Sequence, residues 1–70
     1  VLRLRLWRLT AGLTQAEAAR QLGMSRLTLG YLENGRLEAS ERDMDRLRAV
    51  FGDRAKRMFD EVGDVLGVAP

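Results

Sequence analysis

Apolar positions along the 70-residue chain fall in short periodic stretches, most of them opened by a polar capping residue and closed by a glycine. The opening, Val1-Leu2-Arg3-Leu4-Arg5-Leu6-Trp7-Arg8-Leu9, alternates like a strand. It also sets Leu2, Leu6 and Leu9 on one side of a helix and Leu4, Trp7 and Ala11 on another. We read it as a helix, because leucine and arginine are good helix formers and no second alternating run exists to pair with a strand. A helix apolar on two sides needs cover from more than one neighbour. Gly12 stops it. Thr14, with Glu17 three residues on, forms a capping box for a second helix that runs to Leu22 and ends on Gly23. Ser25 caps a third helix through Glu33 or Asn34, closed by Gly35. Ser40 with Asp43 caps a fourth, with Met44, Leu47 and Phe51 inward, and Gly52 ends it. Asp53 is placed to cap a fifth, whose Ala55, Met58, Phe59, Val62 and Leu66 recur at helical spacing. Gly63 within that stretch permits either close backbone approach or a helix break. The fold class expected from this pattern is all-α, five compact helices.

Helices two and three are joined by only Gly23-Met24-Ser25, so they must cross steeply, with small residues where they touch. Ala19 is spaced for that contact, Leu29 and Leu32 supply the inner side of the third helix, and Leu22 closes the corner. Ala19, Gly23 and Leu29 together have the spacing of a DNA-binding helix-turn-helix. With "GLTQAEAARQLGMS" and "YLENG" around them, residues 4 to 52 resemble the lambda-repressor-like, Cro/XRE class of phage and bacterial regulators. The resemblance implies a lambda-repressor-like helix-turn-helix domain over residues 1–52, with 53–70 as a C-terminal helix extending the same domain. It also implies roles. Gln15, heading the second helix, binds a DNA phosphate. Arg26 and Leu27, opening the third, read bases in the major groove, and Gly30 and Tyr31 lie on the same reading surface. Ser25, Thr28, Asn34 and Arg36 join Gln15 in the phosphate set. Arg8 of the first helix pairs with Glu33 at the end of the third.

The residue chemistry points the same way. Free N–H groups and the helix dipole at the second helix's first turn already attract phosphate beside Gln15. Arginine binds guanine O6 and N7 together, and leucine contacts a thymine methyl. Asn34 is equally at home as turn chemistry in Asn-Gly, and Tyr31 as packing at the helix edge. The chain also departs from the class. Ala18 and Trp7 both stand where that class has leucine, and we expect the indole to fill the space Ala18 leaves. Gly30 occupies the middle of the third helix, where the class commonly carries a base-reading or phosphate-binding side chain. The loop "RLEAS" lacks the usual proline and carries Glu38, which repels phosphate. Arg48 replaces a small core residue and is expected to point outward.

Charge sharpens the reading. The net charge is +2, but residues 1–36 hold six arginines against two glutamates, a net of +4. Residues 37–70 hold six basic and eight acidic side chains, a net of −2. Eleven of the twelve basic residues are arginine, the side chain suited to bidentate phosphate and guanine contacts, although GC-rich codon usage also enriches arginine. The chain has no cysteine and no histidine, which removes disulfides, thiol nucleophiles, most zinc chemistry and histidine proton transfer. An aspartate-only Mg²⁺ site stays formally open, but no carboxylate cluster is arranged for one. No catalytic, cofactor or metal residue is nominated. With 46% apolar residues and no apolar run of 18, the chain reads as one soluble domain without a membrane span or signal core. Its start at Val1 instead of methionine suggests an excerpt or a processed chain.

These observations lead to a non-enzymatic, sequence-specific regulator, a repressor or autoregulator that binds a palindromic operator in double-stranded DNA as a homodimer. The expected dimer contact is Met58, Phe59, Val62 and Leu66 of the fifth helix. The alternative is an antitoxin-type module that neutralises a partner protein, with or without DNA binding. Either belongs in the cytoplasm of a bacterium, bacterial or phage-encoded, at the nucleoid.

Overall fold

The computed structural model describes residues 1–62. Four α-helices follow one another, α1 (Arg3–Thr10), α2 (Gln15–Leu22), α3 (Arg26–Glu33) and α4 (Glu41–Phe51), and a 3₁₀ segment, Gly52–Phe59, completes the order. No sheet forms among the described residues. The fold is all-α and compact.

Local chemistry starts the helices. Thr14 and Ser40 each accept the backbone N–H of the residue three positions on, and Glu17 and Asp43 return the bond to the caps' own N–H groups. Ser25 accepts the Thr28 N–H at 3.1 Å. Such caps are each worth about 1 kcal/mol, a large share for helices of only two or three turns.

α1, α2 and α3 all end in the same paired turn. For α2, the Gly23 N–H returns to the Arg20 carbonyl at 3.2 Å and the Met24 N–H to the Ala19 carbonyl at 3.0 Å. The motif needs a left-handed residue, and Gly23 supplies it at φ 71°, ψ 28°. The same two bonds recur at Gly12 and Leu13, and at Gly35 and Arg36.

The core gathers Leu4, Ala18, Ala19, Leu22, Met24, Leu29, Leu32, Leu47, Ala55 and Met58, all buried. Trp7 packs at its edge, and its ring meets Phe51 of α4 edge-on, with centroids 5.0 Å apart at 88°. Phe51 is therefore the observed aromatic partner of the indole. Arg48 is exposed and pairs with Asp45 at 2.8 Å.

The C-terminal part differs from the expected fifth α-helix. Asp53 makes no cap, and the segment is wound as a 3₁₀ helix that α4 enters through Gly52. Three residues per turn place i and i+3 on one side, and Ala55 and Met58 are the two residues that this turn buries. Apolar positions at 55, 58, 59 and 62 fit either winding, which is why spacing alone pointed to an α-helix. Beyond Phe59 the chain is extended. Arg3 N–H donates to the Asp60 carbonyl at 2.9 Å and Val62 N–H to the Val1 carbonyl at 2.8 Å, around an isolated antiparallel pair, Leu2 and Glu61. Met58, expected in the dimer contact, is 0% exposed within the single chain. Phe59 and Val62 are half-buried. Gly63 and Leu66 lie outside the described residues.

Candidate functional site

The short turn between α2 and α3 brings the head of α2 alongside the outer surface of α3. Leu29 and Leu32 are buried, which turns Arg26, Leu27 and Tyr31 outward. Leu27 is 63% exposed and Tyr31 42%. No packing inside the described chain explains a leucine so open on the helix that carries the core leucines.

A shallow concavity of about 160 Å³ is lined by Gln15, Arg26, Leu27, Gly30, Tyr31, Asn34 and Arg36. The structure thus draws seven of the nine residues nominated for base and phosphate contact into one place. The other two, Ser25 and Thr28, do not line it. Their hydroxyls are paired, Ser25 Oγ donating to Thr28 Oγ1 at 2.9 Å within the cap of α3. Asn34 forms the exposed C-terminal cap of α3, its N–H on the Gly30 carbonyl at 3.2 Å.

A buried ion pair lies beneath this surface. Arg8 Nε donates to Glu33 Oε2 at 2.7 Å and Arg8 Nη2 to Glu33 Oε1 at 3.2 Å, a two-point fork. Arg8 Nη1 reaches the Leu13 carbonyl at 3.0 Å. The side chains are 11% and 1% exposed. One arginine thereby ties α1, the loop before α2 and the end of α3 together. Glu33 Oε1 also accepts a long hydrogen bond from Gln15 Nε2, at 3.4 Å, so the head of α2 is anchored to the same carboxylate. No buried side-chain polar atom among the described residues lacks a partner. The Leu13 and Gln15 links had no signal in the sequence, because they depend on how α2 sits against α1 and α3.

Glu17 closes the cap of α2. The backbone N–H of Thr14, and secondly its hydroxyl, hold the Glu17 carboxyl below the usual carboxylate range. Its charge is already committed at the helix start.

A second concavity, about 410 Å³ and mostly apolar, shares no residue with the first. Leu2, Leu32, Gly35, Leu37, Glu38, Ala39, Met44 and Phe59 line it. Leu37, 44% exposed, was not singled out from the sequence, although a lone leucine in the polar loop "RLEAS" is a usable signal. No helix among the described residues is long and apolar enough to cross a membrane.

A family model described as a helix-turn-helix domain matches residues 1–52. No curated protein and no solved structure matches the chain.

Proposed function

Because the chain belongs to the helix-turn-helix family, we propose that it is a sequence-specific DNA-binding regulator of transcription, a repressor or autoregulator of the lambda-repressor-like, Cro/XRE kind. The observation that carries this reading is the convergence of Gln15, Arg26, Leu27, Tyr31, Asn34 and Arg36 on one exposed concavity at the α2–α3 corner. α3 enters the major groove by its first turn. Arg26 reads guanine through O6 and N7, and Leu27 packs on a thymine methyl with Tyr31 beside it. Gln15, Asn34 and Arg36 hold phosphates on either side and set the register of the helix. Within the Ser25–Thr28 pair the Thr28 hydroxyl accepts, so its own O–H is the donor left for a phosphate. The Arg8–Glu33 pair fixes α3 against α1 and keeps this surface in one shape.

One such surface reads only a few base pairs. Two copies on half-sites one helical turn apart, ~34 Å, supply useful specificity. The apolar groove bordered by Leu2, Leu37 and Phe59 supports a homodimer contact there. The same groove supports the second reading, an antitoxin-type module that holds a partner protein. Sedimentation separates the two: a self-associating chain that Leu37→Asp renders monomeric favours the dimer, and a monomeric wild type favours the partner protein.

In vitro selection from a random DNA pool, at two salt concentrations, tests the main reading. A palindromic consensus with half-sites about one turn apart is the expected result. Absence of enrichment at either salt, with no duplex bound, refutes it.

A further inference from the structure

A further concavity, of about 200 Å³, opens between α1 and the 3₁₀ segment and shares no residue with either concavity described above. Arg3, Leu6, Trp7 and Thr10 line it from α1, and Arg54 and Met58 from the 3₁₀ segment. Burial grades its wall. Met58 is fully buried, Leu6 and Trp7 are half-buried, and the two arginines are exposed.

The donors at this place have no acceptors. Neither Arg3 nor Arg54 forms an ion pair among the described residues; Glu33, Asp45 and Glu61 pair with Arg8, Arg48 and the Val1 amino group. The Trp7 indole N–H donates to no group among the described residues, and no buried side-chain polar atom there lacks a partner, so that N–H reaches solvent. Thr10 contributes one acceptor oxygen, its hydrogen being spent on the Leu6 and Trp7 carbonyls at 2.9 and 3.1 Å. Set against two guanidiniums, it leaves the sign of the site positive. The arginines stand on fixed backbone. Arg3 N–H donates to the Asp60 carbonyl at 2.9 Å, and Arg54 precedes Ala55, which the 3₁₀ turn buries.

Two like charges on one concavity draw anions to it. At exposed positions that attraction is weak and salt-screened, so an ion without an apolar body gains little. Apolar surface alone leaves both guanidiniums unanswered. A ligand that carries both parts uses the whole wall. The space suits a single ring with its charged group, being smaller than the roughly 300–1,000 Å³ of drug-sized sites.

We propose that this concavity binds a small aromatic carboxylate, its ring against Leu6, Trp7 and Met58 and its carboxylate between Arg3 and Arg54. Such a ligand bridges α1 and the 3₁₀ segment, contacts that exist only in the folded chain, so its binding raises thermal stability. No residue of the α2–α3 corner takes part, and the site stands independently of the DNA-binding reading.

Trp7 is the only tryptophan, so its indole N–H gives one resonance in ¹H–¹⁵N NMR. The test titrates sodium benzoate into the protein at constant ionic strength and follows that resonance, with thermal melts in parallel. Benzamide, a ring without the charge, and acetate, the charge without a ring, serve as controls. Benzoate is expected to shift the resonance along a saturating curve with a midpoint of about 0.1–1 mM. At about ten times the midpoint it should raise the melting temperature by several degrees. Both controls should need at least about tenfold higher concentrations. Arg3→Gln and Arg54→Gln change exposed side chains, so both should fold, and each should weaken benzoate by about two- to fivefold. Arg20→Gln, an exposed arginine on α2, should leave the midpoint unchanged. A shift that stays linear to tens of millimolar overturns the proposal. So do controls as effective as benzoate, Arg3 and Arg54 variants equal to wild type, or an Arg20 variant that loses as much as they do. With no DNA in the experiment, each of these failures leaves the DNA-binding reading standing.

Discussion

Removing one member of the Arg8–Glu33 pair should cost far more than removing both. The Glu33 side chain is 1% exposed and that of Arg8 11%, so neither charge is rescued by solvent. Arg8→Met, which keeps most of the volume, leaves the Glu33 carboxylate with only the long bond from Gln15 at 3.4 Å. Stranding a buried charge in this way costs about 3–5 kcal/mol. Glu33→Leu strands Arg8 less completely, because Nη1 keeps the Leu13 carbonyl at 3.0 Å. Its cost should be the smaller, about 2–3 kcal/mol. The double variant removes both charges. It should return to within about 1–2 kcal/mol of wild type, the remainder being the partners lost by the Leu13 carbonyl and the Gln15 amide. A domain of this size has roughly 4–10 kcal/mol in total, so Arg8→Met should melt at least about 12 °C lower and stand close to unfolding at room temperature. Urea denaturation followed by far-ultraviolet circular dichroism, with Trp7 fluorescence as a second probe, measures all four proteins. Single variants within about 0.5 kcal/mol of wild type would refute the reasoning, as that is the range of a surface pair. So would a double variant whose cost equals the sum of the singles.

Further outcomes follow from the same geometry. Arg26→Ala should cost roughly 1–3 kcal/mol on a selected duplex and flatten discrimination at one base position, whereas Gln15→Ala should weaken selected and scrambled duplexes alike. Equal losses on both duplexes for Arg26→Ala would take it out of the base-reading set. Gly23→Ala forces an L side chain into the left-handed region, at φ 71°, and should lower stability by about 1–2 kcal/mol in a chemical melt; no loss would mean the α2 turn has another conformation in solution. The Glu17 carboxyl is held below its ordinary range. Its contribution to stability is therefore present above about pH 4.5 and lost as pH falls through the lowered value. Glu17→Gln keeps a capping side chain without the titration, so its stability should fall less steeply below that pH. Parallel acid profiles for the two proteins would contradict the cap.

The parts of this fold that were legible in the sequence are those decided within four residues. Thr14 with Glu17, Ser25, and Ser40 with Asp43 state their helix starts, because a cap's donor and acceptor lie three positions apart. Gly12, Gly23 and Gly35 state the stops of α1, α2 and α3 for the same reason. What escaped were choices between close alternatives and contacts between distant elements. The winding after Gly52 turns on whether Ala55 and Met58 share a side, and three and four residues per turn both allow an apolar match nearby. The antiparallel pair of Leu2 and Glu61 leaves no periodic trace in either short segment. Residue sizes place Trp7 beside the core that contains Ala18, but its edge-on contact with Phe51 lies between residues 44 positions apart and leaves no local signal. At the candidate site the residue types were readable, but the path of the Gln15 amide across Gly30 was not. That path requires the relative placement of two helices.

The two helices that carry the proposed reading surface have a further consequence for the way the chain opens. α2 and α3 have eight residues each. Isolated helices shorter than about 12–15 residues are marginal in water, so neither persists once its buried side is exposed. Ala18, Ala19, Leu22, Leu29 and Leu32 belong to the same core as Leu4 and Leu47, so losing that core melts both helices together. Amide hydrogens in α2 and α3 should then exchange with deuterium through the same global opening as those of α4, at one common free energy. The surface would have no partly ordered form. An excised peptide spanning residues 13–36 should be largely unstructured, and any protease that cuts in α3 should do so only from the fully opened chain.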